Sequence, residues 1–159
     1  MKRILELLEK DATLTAEQIA VMLDKTPEAV KAQIEAYEKD HIIVGYKTII
    51  NWESTDSEPV SAMIELRITP QRGEGFDEVA KRIYQYEEVS SVFLMSGGFD
   101  LAVMIEGKSM KEVALFVAEK LAPMEQVIST ATHFVLKKYK VDGVIIGDQH
   151  QDSREVIRL

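Results

Sequence analysis

Two adjacent glycines, Gly97 and Gly98, join two alternating apolar runs, Val89 to Met95 and Phe99 to Glu106. Alternation with a period of two marks strands, and paired glycines permit the positive φ of a tight hairpin. The hairpin sits at the centre of a longer pattern. Val60, Ala62, Ile64, Leu66 and Ile68 alternate as an earlier strand, and Phe76, Val79, Ala80 and Ile83 follow at helical spacing. Beyond the hairpin, Met110, Val113, Val117 and Leu121 form a second helical stripe, and Gln126 to Lys140 closes the sheet. This order is a ferredoxin-like β-α-β-β-α-β unit, a fold that hosts many unrelated functions. Main-chain N–H groups at the hairpin could hold a small polar ligand, and ordinary turn chemistry would equally account for the glycines.

The first fifty residues change period. Ile4, Leu5 and Leu8 recur at helical spacing, and Thr13 or Thr15 caps a second segment in which Ile19, Met22 and Leu23 line one face. Thr26 is the N-cap of a third helix with Pro27 at its first position, where a missing N–H does no harm. That helix runs to about Lys39 and buries Val30, Ile34 and Tyr37. Two short β-rich runs broken at Gly45, between His41 and Ile50, predict a wing hairpin. Together these make a winged helix-turn-helix. Asn51 to Pro59 turns polar after Trp52 and ends in proline, which marks a boundary. The expected organisation is residues 1–53, a linker at 54–58, a second domain at 59–140 and an extension at 141–159.

Charge narrows the partners. The net charge is −8, from 19 basic and 27 acidic residues, and residues 1–53 share the deficit with seven Lys/Arg against ten Asp/Glu. Bulk electrostatics therefore cannot drive nucleic-acid binding, and any DNA contact needs a local basic patch. With no cysteine, disulfides, thiolate metal sites and cysteine catalysis are excluded. Met1 to Glu6 becomes acidic before an apolar stretch forms, and no window approaches the roughly 18 apolar residues of a membrane span. A cytoplasmic protein with no membrane partner is expected.

In combination, several short segments resemble the Lrp/AsnC, or feast/famine, family of transcription regulators. They are Ile4 to Leu8, Gln18-Ile19-Ala20, Ile42 to Tyr46, Met95 to Leu101 and Thr130 to Lys137, in that order and spacing. The resemblance covers Ile4 to Lys140. It implies that residues 1–53 bind double-stranded DNA and that residues 59–140 dimerise and sense an amino acid, with tetramers or octamers built from the dimers. It also implies an effector site at a subunit interface, formed by Ser96, Gly97, Gly98, Asp100, Thr130 and Thr132. Hairpin N–H groups and threonine hydroxyls suit an α-carboxylate, and Asp100 can accept from an α-ammonium. Alternatively Asp100 caps its own turn, and the threonines are there for β-propensity.

The DNA-reading helix departs from the family pattern, which is rich in Arg and Lys. Its outward face presents Glu28, Lys31, Ala32 and Glu35. Glutamate can accept from cytosine N4 and alanine can touch a thymine methyl. Lys25 in the turn beside Thr26, and Lys47 on the wing, could hold backbone phosphates or be solvated surface. This acidity keeps open a second class, a ligand-binding oligomer with weak DNA affinity acting through protein partners.

Enzymatic constellations are missing. His41, His133 and His150 fall on separate elements, Glu87-Glu88 reads as a solvated corner, and no phosphate-binding loop or nucleophile elbow occurs. No metal or cofactor is expected beyond the amino-acid effector. Met63, Met95 and Met104 read as core filler, with a soft lining for an apolar effector as the alternative. In the extension, Val144 to Ile146 and Glu155 to Leu159 flank a polar stretch and read as two short strands, or as a loose tail.

Overall fold

Side-chain caps set where the first helices begin. Thr15 Oγ1 accepts from Gln18 N–H while Gln18 Oε1 accepts from Thr15 N–H, a reciprocal capping box that starts α2 (Ala16–Leu23). Thr26 Oγ1 accepts from Ala29 N–H and starts α3 (Pro27–Lys39) with Pro27 in the first turn. In this computed structural model, which describes residues 2–69 and 75–146, α1 (Lys2–Lys10) completes a three-helix unit. Ile4, Leu8, Ile19, Ala20, Val30 and Tyr37 form its buried core. Met22, expected inside, is 55% exposed, and the neighbouring Ala20 is buried instead. The α2–α3 turn places Asp24 at φ +52°, and Lys25 N–H returns to Ala20 O.

The wing hairpin expected between His41 and Ile50 has no strand ladder; this stretch carries no regular secondary structure after the turn that ends α3. What holds it is local. Ile42 and Ile43 N–H both donate to Tyr37 O, and the Tyr46 hydroxyl donates to Glu38 Oε1 at 2.9 Å. Partial burial and then the Glu38 carboxylate push the Tyr46 phenol above its usual range.

The chain divides into two units, Met1–Ile50 and Asn51–Leu159. Asn51 and Trp52-Glu53 go with the second unit, because Asn51 Nδ2 donates to Ile146 O and Glu53 Oε1 accepts from Lys138 N–H. That unit is a four-stranded antiparallel sheet ordered β2-β3-β1-β4, from β1 (Val60–Ile68), β2 (Val89–Leu94), β3 (Leu101–Gly107) and β4 (Val127–Phe134). Two helices, α4 (Phe76–Ile83) and α5 (Met110–Phe116), cross one face, and α5 continues as a π-turn over Val117–Leu121. The register places Ala62, Ile64 and Leu66 beside Ile105, Val103 and Leu101, and all six are buried with Val79, Ile83, Val113 and Leu121.

The stripe Ala62, Ile64, Leu66 and Ile68 of β1 is thus covered by the chain's own helices. The opposite face carries Met63 and Glu65 on β1, Ala102 and Met104 on β3, and Phe93 on β2, by the same pairing. Met63 and Met104 are half-buried there and Met95 is 42% exposed, so these methionines are not core filler. The last strand ends at Phe134 rather than Lys140. Lys140–Val141 instead pairs with Val144–Ile145 as a separate hairpin, β5–β6, whose turn residues Asp142 and Gly143 both have positive φ. Glu155 to Leu159 and His150 lie outside the described residues.

Candidate functional site

Asp100 fastens the base of the glycine loop to the central strand. Its N–H donates to Leu66 O at 2.9 Å and its Oδ2 accepts from Ile68 N–H at 2.7 Å, where a β-bulge between Arg67 and Ile68 shifts the register with β4. Met95 N–H closes the loop by donating to Asp100 O. The connection is therefore a four-residue loop, 96–99, and not the tight two-residue turn expected from the paired glycines. Only one of the two glycines needs its freedom: Gly97 has φ +157°, whereas Gly98 does not have a positive φ. A Cβ on either would meet no atom within 4 Å.

What the loop offers a ligand is a run of donors. Among the described residues, nothing accepts from the N–H groups of Ser96, Gly97, Gly98 or Phe99, and the first three residues are exposed. The carboxylate predicted to meet an ammonium is half committed, since Oδ2 is engaged and only Oδ1 is left to accept from a ligand. Thr130 lies opposite Leu66 and Thr132 opposite Ile64 on the far side of β1. Strand spacing puts β4 about 10 Å from β3. One chain therefore brings Ser96, Gly97, Gly98 and Asp100 together but holds Thr130 and Thr132 apart from them.

In the first unit, Glu28, Lys31, Ala32 and Glu35 are all exposed or half-buried on α3, as the helical period requires. Thr26 is occupied as the cap of α3, so its hydroxyl is a structural group first. Glu17 titrates low because of its hydrogen bonds with Thr15 and with its own backbone, and the Lys31 charge adds to that. Lys25 and Lys47 line different concavities. Lys25 lines a cavity of about 260 Å³ with Arg3, Leu23, Ala29 and Gln33, whereas Lys47 lines a separate groove with Leu5, Leu8 and Glu9. Arg3 and Gln33 are not legible as site residues in the sequence, since a lone arginine near the chain start and a mid-helix glutamine carry no local pattern.

His133 Nε2 sits 3.2 Å from Glu65 Oε1 on the sheet face away from the helices. Among the described residues, no cluster of three or more His, Asp or Glu could hold a metal, and no helix is long and apolar enough to cross a membrane.

Comparison with known proteins adds the family context. Residues 61–145 match the family model of the Lrp/AsnC ligand binding domain, and residues 1–44 match that of a winged helix-turn-helix DNA-binding domain. The HTH-type transcriptional regulator YugG of Bacillus subtilis, itself uncharacterized, is 47% identical over 155 residues, covering 97% of this chain and 93% of its own. The HTH-type transcriptional regulator LrpA of Pyrococcus horikoshii is 27% identical over 139 residues, covering 87% and 96%. Among solved structures, the feast or famine regulatory protein from M. tuberculosis complexed with L-methionine superposes with a TM-score of 0.73. It is 19% identical over 91% of this chain and 95% of that one, a likeness of fold alone.

Proposed function

The chain belongs to the Lrp/AsnC family of DNA-binding transcriptional regulators, and we propose that a free amino acid controls it through the loop at residues 96–100. The observation that carries this reading is the run of N–H groups from Ser96 to Phe99, unpartnered among the described residues, in a loop whose base Asp100 holds. A carboxylate accepts from such donors with the strength of a charge-assisted bond, and the free oxygen of Asp100 can take the ammonium. Thr130 and Thr132 of a second copy complete the site, since β1 separates them from the loop of their own chain. The first unit reads DNA, the second senses and assembles, and the regulator works in the cytoplasm on double-stranded DNA. The L-methionine in the mycobacterial structure, and the same ligand in the complex of a regulator from Neisseria meningitidis, support an amino acid as the chemical class.

Calorimetry across the twenty amino acids tests this. Gly98→Val is the sharp variant: Gly98 has no positive φ and a Cβ there meets nothing, so the fold is expected to tolerate it while the added isopropyl group obstructs the loop. Wild-type binding that disappears in Gly98→Val is the expected result. Binding that survives unchanged places the effector elsewhere. A second reading, a sensor that has lost firm DNA affinity and acts through protein partners, draws on the two carboxylates on the outward face of α3. A wild type that binds an amino acid but no duplex would favour it.

A further inference from the structure

The outward face of α3 has one lysine, Lys31, between two glutamates. A firm hold on the DNA backbone therefore calls for further cations in the first unit. Its other cations are Lys2, Arg3, Lys10, Lys25, Lys39 and Lys47. Arg3 and Lys25 line one cavity, about 260 Å³ in size, and two of its other walls are Ala29 and Gln33 of α3. Both side chains are exposed, and neither has an ion-pair partner among the described residues. Ile4 and Leu23 give the cavity an apolar floor, which strengthens any charge interaction above it by keeping water from one side. Lys25 also directly precedes the Thr26 cap, so the positive end of the α3 dipole adds to the two cations.

We propose that Arg3 of α1 and Lys25 of the α2–α3 turn form a clamp for one DNA backbone phosphate, with Gln33 as a neutral donor beside it. This makes α1 part of the DNA-contacting surface, and it rests on the DNA-binding reading above. An arginine suits the role because its planar fork can donate twice to a phosphate, and the clamp fixes the register of α3 without reading sequence.

The test is fluorescence anisotropy of full-length protein on a duplex of random sequence, about three helical turns long, over a series of salt concentrations. Each phosphate contact adds about 0.9 to the slope of log affinity against log salt on B-form DNA. Arg3→Ala with Lys25→Ala is expected to lower the slope by about one for each bound DNA-binding unit, Arg3→Ala alone by a measurable part of that, and Arg3→Lys to restore most of the part lost in Arg3→Ala. Lys10→Ala, at the other end of α1, removes the same charge and is expected to leave the slope unchanged. An unaltered slope in Arg3→Ala, or an equal loss in Lys10→Ala, overturns the clamp while leaving DNA binding intact. Failure of the wild type to bind the duplex at low salt overturns both the clamp and the reading it rests on.

Discussion

The Asp100 carboxylate already has a duty inside the chain. Ile68 is buried, and its N–H has Asp100 Oδ2 as acceptor at the bulge. Asp100→Ala therefore orphans a buried donor, and we expect it to cost about 1–3 kcal/mol of stability in the second unit. Asp100→Asn keeps an acceptor and should cost less. Trp52 is the single tryptophan and belongs to the second unit, so its fluorescence during urea unfolding compares the two variants. Equal stability of Asp100→Ala and wild type would contradict the role. In the first unit, Thr13 donates to Asp11 from its hydroxyl at 2.6 Å and its N–H at 2.9 Å, and these bonds hold the Asp11 carboxyl below its ordinary 3.8. A carboxyl with a lowered folded-state pKa stabilises above the unfolded value, and that contribution is lost as pH falls through the folded one. Thr13→Ala should move Asp11 back toward 3.8 in an NMR titration, and an unmoved Asp11 would refute the assignment.

Among the elements, the glycine loop and α3 give the clearest expectations. Gly97 occupies a conformation that L side chains rarely adopt and Gly98 does not, so Gly97→Ala should cost about 1–3 kcal/mol while Gly98→Ala is close to neutral. Trp52 unfolding curves decide it, and equal losses would show that the loop does not depend on Gly97. On α3, Glu28→Gln with Glu35→Gln removes two carboxylates from the outward face, which should raise affinity for random duplex DNA several-fold at low salt. No gain in anisotropy would mean that this face does not approach phosphate. The helix starts are legible in the sequence because caps are local: Thr15 with Gln18 and Thr26 with Pro27 announce themselves within four residues. The stretch Ile42 to Ile50 misleads because its β-rich composition says what suits a strand and not whether a partner strand is present. The end of β4 is overrun for a related reason. The apolar pattern continues past Phe134, but the ladder with β1 ends at the Ala62–Phe134 pair, with one further bond from Val135 N–H to Ser61 O. Arg3 cannot be found from sequence at all, since it comes to line one cavity with Lys25 only through the tertiary packing of the three-helix unit.

At the scale of the molecule, the helix-free sheet face argues for assembly, whereas the apolar stripe of β1 does not. That face holds Met63, Met104 and Phe93, with Phe93 53% exposed, around the Glu65–His133 pair. Covering it with a second copy removes apolar surface from water. Full-length protein should scatter light as a dimer or larger, and Met104→Lys should shift it toward monomer; a wild-type monomer at high concentration would contradict this. An effector regulates only by favouring one assembly or DNA-bound state over another, so sensing and DNA affinity must be coupled across the two units. Genomic SELEX with the wild-type protein, run with and without the twenty amino acids, measures that coupling directly. The account predicts enriched fragments sharing a motif, with enrichment changed by at least one amino acid. No enriched fragment at low salt, or enrichment indifferent to every amino acid, would contradict it.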